Sequence, residues 1–163
     1  MATYAPLFAH VEGWQWRPDM IWFDNLNSVR TVSYYVQQLY ATHKGTHVLP
    51  LTMDKKPVTG AEGQNGLFAS AVYDKDKNEI IVKVANTSDK SQSIALTFDG
   101  LKKKTELAGG RCIKLTSPDM DKDNTVEHPH AIIPQESPLS AQGKSLSVEL
   151  EPYTFAVYIL NLN

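Results

Sequence analysis

At 163 residues, with 42% hydrophobic and 21% charged residues, the chain has the size and composition of one globular domain, or of one domain with an appendage. A formal charge of −2 excludes the broad basic surface of a nucleic-acid binder; the densest basic run, Lys102-Lys103-Lys104, reads as a solvated turn or strand end. The single cysteine, Cys112, excludes an intrachain disulfide, and no run approaches the roughly 20 apolar residues of a membrane span.

Residues 1–12 are apolar and interrupted by Pro6, which suits a strand leading into a loop. They lack the basic start and unbroken apolar core of a signal peptide. Gly13 to Asn25, GWQWRPDMIWFDN, holds all three tryptophans, Trp14, Trp16 and Trp22. From Thr31 the period changes. Val32, Tyr35, Val36, Leu39 and Tyr40 share one helical face, Thr31 or Ser33 can cap its start, and His43, Lys44 and Gly45 suit its end.

After Gly45 the pattern is strand and turn. His47–Leu51, Leu67–Tyr73, Glu79–Asn86, Ser93–Phe98, Arg111–Thr116, Ser145–Leu150 and Thr154–Leu160 are strand-like, and the turn Asp74–Asn78 makes the second and third a hairpin. About seven or eight short strands at this spacing read as an antiparallel sandwich or jelly roll. Ser117 to Gly143 is long for a loop. We read it as an ordered crossover laid on one sheet and pinned by Val126, Ile132 and Ile133.

Metal and nucleophile patterns fail on their own terms. Asp119, Asp121 and Asp123 alternate as in a calcium loop, but Asn124 stands where the turn needs glycine and His130 where it needs glutamate. His128 and His130 lack third and fourth ligands at suitable spacing, and Cys112 reads as a buried filler. No metal or cofactor is expected.

Three motifs carry a resemblance. Tyr4-Ala5-Pro6-Leu7-Phe8, then Trp16-x-Pro18-Asp19-Met20-Ile21-x-Phe23-Asp24-Asn25, then Ser33-Tyr34-Tyr35-Val36-Gln37 resemble the last strand, loop and helix of the catalytic barrel in family 51 α-L-arabinofuranosidases. Glu79–Asn86, Asn124–Pro134 and Pro152-Tyr153-Thr154-Phe155 are similar to that family's C-terminal β-sandwich. Val32 departs from the proline often found at the first helical position.

The resemblance implies a mainly β, jelly-roll-like sandwich (residues 46–163) preceded by the last β–α unit of a truncated (β/α)8 barrel (residues 1–45). It implies a parent glycoside hydrolase, a retaining enzyme that releases terminal arabinofuranosyl residues from arabinose-containing polysaccharides and so serves L-arabinose metabolism. Retention needs two carboxylates about 5 Å apart. The family's pair lies on earlier barrel strands, and Glu12, the one glutamate of the barrel-like segment, has no mate. No catalytic residue is therefore assigned, and the chain alone is expected to be inactive.

Loops after barrel strands face the active site, so Trp14 and Trp16 are candidates to stack on a sugar, the alternative being that they pack the loop. Expected partners are the rest of the barrel and, through it, arabinose-containing glycans, but neither nucleic acid nor membrane. The resemblance also implies that the sandwich is completed by a strand from the parent's N-terminus. Without it, an open sheet edge and the apolar residues Leu7, Phe8, Val11, Trp14, Trp22 and Phe23 favour a truncation-driven homodimer. The compartment stays open, a secreted or periplasmic parent among the options. The rival function is a free-standing carbohydrate-binding β-sandwich, but Tyr73, Tyr153 and Tyr158 alternate with aliphatic residues and read as core.

Overall fold

The computed structural model describes residues 3–163, so Met1 and Ala2 of the expected first strand lie outside it. In chain order the elements are β1 (Phe8–His10), β2 (Ile21–Phe23), β3 (Ser28–Arg30), α1 (Val32–Thr42), β4 (His47–Leu49), β5 (Thr52–Met53) and β6 (Lys56–Pro57). They continue with β7 (Leu67–Asp74), β8 (Glu79–Asn86), β9 (Gln92–Thr97), β10 (Leu107–Thr116), β11 (Gln135–Gly143), β12 (Ser145–Leu150) and β13 (Thr154–Leu162).

The larger sheet has the order β4-β7-β8-β13-β10-β11-β12-β9. Every neighbouring pair in it is antiparallel. It curls on itself: β7 and β8 line one wall of a cavity of about 850 Å³ and β9 the opposite wall. Strand periodicity explains the layering. Ile80, Val82, Val84, Ala156, Tyr158 and Leu160 point into the curl. Their alternates Ile81, Val157 and Ile159, with Ile113, form the outer face, which Tyr35, Leu39 and Ile132 cover. β8 and β13 are thus buried on both faces, which is why apolar residues dominate both, with Lys83 the one charge set inside β8.

α1 is the one α-helix among the described residues, and tertiary contacts define both its ends. Thr31 has extended backbone and its hydroxyl accepts from Tyr34 N (3.3 Å), while Asp123 Oδ1 accepts from Val32 N at 2.8 Å. A carboxylate at a helix start also complements the macrodipole. At the other end the cation comes from the sheet. Lys83 Nζ donates to His43 O at 2.6 Å and lies 5.1 Å from the Tyr40 ring centroid. The sequence points instead to His43 and Lys44 for positive charge there.

Two regions differ from expectation. The tryptophan-rich segment is not one long loop: β1 and β2 pair in parallel and β3 returns antiparallel, giving a three-stranded sheet with β1 at an edge. These strands are too short to show a period. The crossover, likewise, ends in strand β11, paired along β10 from Leu107↔Gly143 to Lys114↔Gln135. Its residues are mostly exposed and include Pro138, so neither hydrophobicity nor propensity marks a strand. The pins also divide. Ile132 and Ile133 pack under α1, whereas Val126 packs against Ala9, Trp22 and Val29 of the small sheet.

Candidate functional site

β1 and β2 run in the same direction, and just past their C-terminal ends Val11 and Asp24 line a cleft of about 390 Å³. Its opposite wall is the crossover from Asp121 to His128. The cleft therefore joins the strand-loop-helix segment to the sandwich.

The tryptophans take different roles. Trp22 is buried, its ring meeting that of Trp14 edge to face with centroids 6.1 Å apart. Arg17 lies across both, 4.8 Å from the Trp14 centroid and 5.3 Å from that of Trp22. Such a cation over two indoles is worth about 0.5–1 kcal/mol or more at a partly exposed site. Trp14 remains 45% exposed but is already engaged. Trp16 is 53% exposed and makes no aromatic contact among the described residues. Trp16 therefore presents the less encumbered ring face of the two. Trp22, counted in the expected exposed apolar patch, is not part of it, because Ala9, Val29 and Val126 enclose it. Leu7, Phe8, Val11 and Trp14 are exposed.

Of the four carboxylates that line the cleft, Asp24, Asp121, Asp123 and Glu127, two serve the fold. Asp24 Oδ1 accepts from Leu26 N (2.7 Å) and Asn27 N (2.6 Å), and these bonds hold its pKa below the usual carboxylate range. Asp123 is spent on the α1 start, while Asp121, His128 and His130 are exposed, as is Glu12 in its loop. The residue that binds the two walls is Asn124, fully buried. It donates to Arg30 O and Ile132 O, each 2.9 Å, and accepts from Ile132 N at 2.8 Å.

Sequence reasoning did not name Arg17, and it named Asn124 only as a misfit in the calcium-loop pattern and as the first residue of a family motif, not as a buried fastener. An arginine beside two tryptophans is a signal of a kind, but nothing local distinguishes Asn124 from a solvated turn residue. Cys112 is buried, and desolvation pushes its thiol up to about 11, which suits a filler and not a nucleophile.

A curled eight-stranded antiparallel sheet with one helix packed on its outer face and a small three-stranded sheet beside it defines a mainly β domain. The sequence profile of the α-L-arabinofuranosidase C-terminal domain matches residues 1–154, and the chain belongs to that family. It is 29% identical to α-L-arabinofuranosidase 1 of Arabidopsis thaliana, over 98% of this chain and 23% of that protein. It is 31% identical to a probable α-L-arabinofuranosidase A of Aspergillus oryzae, over 96% of this chain and again 23% of the relative. Among solved structures, an arabinose-bound family 51 α-L-arabinofuranosidase superposes with a TM-score of 0.85 at 26% identity, over 99% of this chain and 24% of that one. The chain thus spans less than a quarter of the length of these relatives.

Proposed function

We propose that this chain is the accessory C-terminal part of an α-L-arabinofuranosidase that releases terminal arabinofuranosyl residues from arabinose-containing polysaccharides. Its own task is mechanical. The sandwich holds the strand-loop-helix segment, and with it the loop that carries Trp14 and Trp16, in a fixed place beside a catalytic barrel. The observation that carries this reading is the shared apolar cluster in which Tyr35 and Leu39 of α1 lie on Ile81, Ile113, Val157 and Ile159 of the sheet. Burying side chains of this size contributes about 1.5–3 kcal/mol each. That is enough to make helix and sheet one unit. Trp16, and secondarily Trp14, then provide apolar ring faces for a sugar.

The gene sequence upstream of Met1 tests the proposal. An open frame that continues upstream and encodes two glutamates at barrel strand ends supports it. A start signal immediately before Met1, with no such frame, overturns it and favours the free-standing carbohydrate-binding module.

A further inference from the structure

The cleft between the barrel-like segment and the crossover presents donors on one wall and acceptors on the other. Its volume of about 390 Å³ falls within the roughly 300–1,000 Å³ of small-molecule sites. The donor is Arg17, an exposed residue of the lining. Its guanidinium lies 4.8 Å and 5.3 Å from the ring centroids of Trp14 and Trp22, so two indoles fix its direction. It forms no ion pair with a carboxylate among the described residues, which leaves its fork of N–H groups open to the cleft.

The acceptors are Asp121 and Glu127, both exposed on the facing wall. Val11 and Trp22 add apolar surface to the lining. A fixed donor fork opposite two carboxylates, with apolar surface beside them, matches a sugar. Hydroxyl groups donate to the carboxylates, the guanidinium donates to hydroxyl or ring oxygens, and the carbon-bound hydrogens of the ring meet the apolar residues. A cation fits the lining less well. Arg17 and Lys122 offset part of the acidic charge, and Asp24 and Asp123 are already bonded to backbone amides. No three metal-ligating side chains converge among the described residues.

Position narrows the choice of sugar. The cleft opens just past the C-terminal ends of the parallel strands β1 and β2, the end of a barrel at which substrates bind. In the proposed longer enzyme the residue being released sits at a glutamate pair on other strands. The polymer it hangs from then runs across the mouth of the barrel.

We propose that this cleft binds the sugar residues on the leaving side of the scissile bond, with Arg17, Asp121 and Glu127 as specificity-determining contacts. The crossover then adds recognition to the mechanical task of the sandwich, since it supplies one wall of the site. The inference deepens the function proposed above and rests on it.

The test compares the longer enzyme with its Asp121→Asn/Glu127→Gln variant on two substrates, arabinan and a chromogenic aryl arabinofuranoside that lacks the polymer. Both substituted side chains are exposed, so the fold is kept. The drop in kcat/KM on arabinan is expected to exceed any drop on the aryl substrate by about tenfold or more, carried mainly by KM. An unchanged ratio between the two substrates overturns the proposal. In parallel, the backbone amides of residues 1–163 are followed by NMR as arabinotriose is added. Saturable shifts confined to residues 11–17 and 121–128 are expected, and they should be lost in the double variant and in Arg17→Met. Shifts elsewhere, or none at millimolar sugar, overturn the proposal. So do shifts at the same amides with calcium chloride but not with arabinotriose, which assign the cleft to a cation. If the unsubstituted longer enzyme hydrolyses neither substrate, the functional reading fails, while the titration still decides whether the cleft binds sugar.

Discussion

Replacing Asn124 by alanine would unfasten the crossover from the small sheet. The side chain makes three hydrogen bonds, to Arg30 O, Ile132 O and Ile132 N, at 2.8–2.9 Å in a site closed to water. Each is worth about 1 kcal/mol net, and burying the stranded Ile132 groups adds to the loss, so about 3 kcal/mol is expected in all. For a chain of this size that lowers the melting temperature by about 6–12 °C. The assay is thermal unfolding followed by circular dichroism, with Lys122→Ala, an exposed neighbour, as a control expected to stay within about 0.5 kcal/mol. Hydrogen exchange should show the Ile132 amide and those of residues 28–30 opening faster in Asn124→Ala. A loss under about 1 kcal/mol with unchanged exchange would refute the idea that one asparagine couples the two parts.

Lys83→Ala should cost about 2 kcal/mol, since the buried ammonium caps the last turn of α1, and Lys83→Met should recover part of that by restoring the packing; equal losses from the two would contradict the buried-cap reading. Cys112, with its pKa raised to about 11, keeps its stabilising neutral form below the unfolded-state value; stability should therefore decline as pH rises from about 9 to 11, and Cys112→Ala should flatten that decline in urea titrations. The exposed residues Leu7, Phe8 and Val11 should drive self-association, with about 800 Å² per partner sufficient for a specific dimer. Light scattering over a wide concentration range should show a dimer that Phe8→Glu dissolves, and a strictly monomeric unsubstituted chain of residues 1–163 would refute this. Deleting residues up to Thr46 is a poorer test, because it also strips α1 from Ile81, Ile113, Val157 and Ile159.

Elements that bury their own residues were legible in the sequence. The helical face Val32, Tyr35, Val36 and Leu39 is the face that meets the sheet, and the runs at β7, β8, β12 and β13 lie where alternation or continuous hydrophobicity places them. What stayed hidden depends on distant partners. β11 is a strand because β10 offers it a ladder, not because its own exposed, proline-bearing sequence asks for one. β10 itself begins at Leu107, four residues before its legible part, since Gly109 (φ 78°) and the bulge at Ala108–Gly110 interrupt the pattern. The cleft was half legible. Of the tryptophans only Trp22 lines it, on one wall; the other wall is formed by a segment about a hundred residues downstream, and the buried Asp19 carboxylate looks in sequence like any loop aspartate.

The most direct measurement is turnover of a chromogenic α-L-arabinofuranoside by rigorously pure residues 1–163, set beside the longer enzyme at equal molar concentration. Glu12 has no carboxylate mate in the barrel-like segment, and of the four cleft carboxylates Asp24 and Asp123 are bound to backbone amides while Asp121 and Glu127 are exposed to water. The chain should therefore give no rate above the buffer blank while the longer enzyme hydrolyses the substrate. A rate from the chain alone that scales with its concentration would contradict the support role and place a catalytic carboxylate pair within these residues.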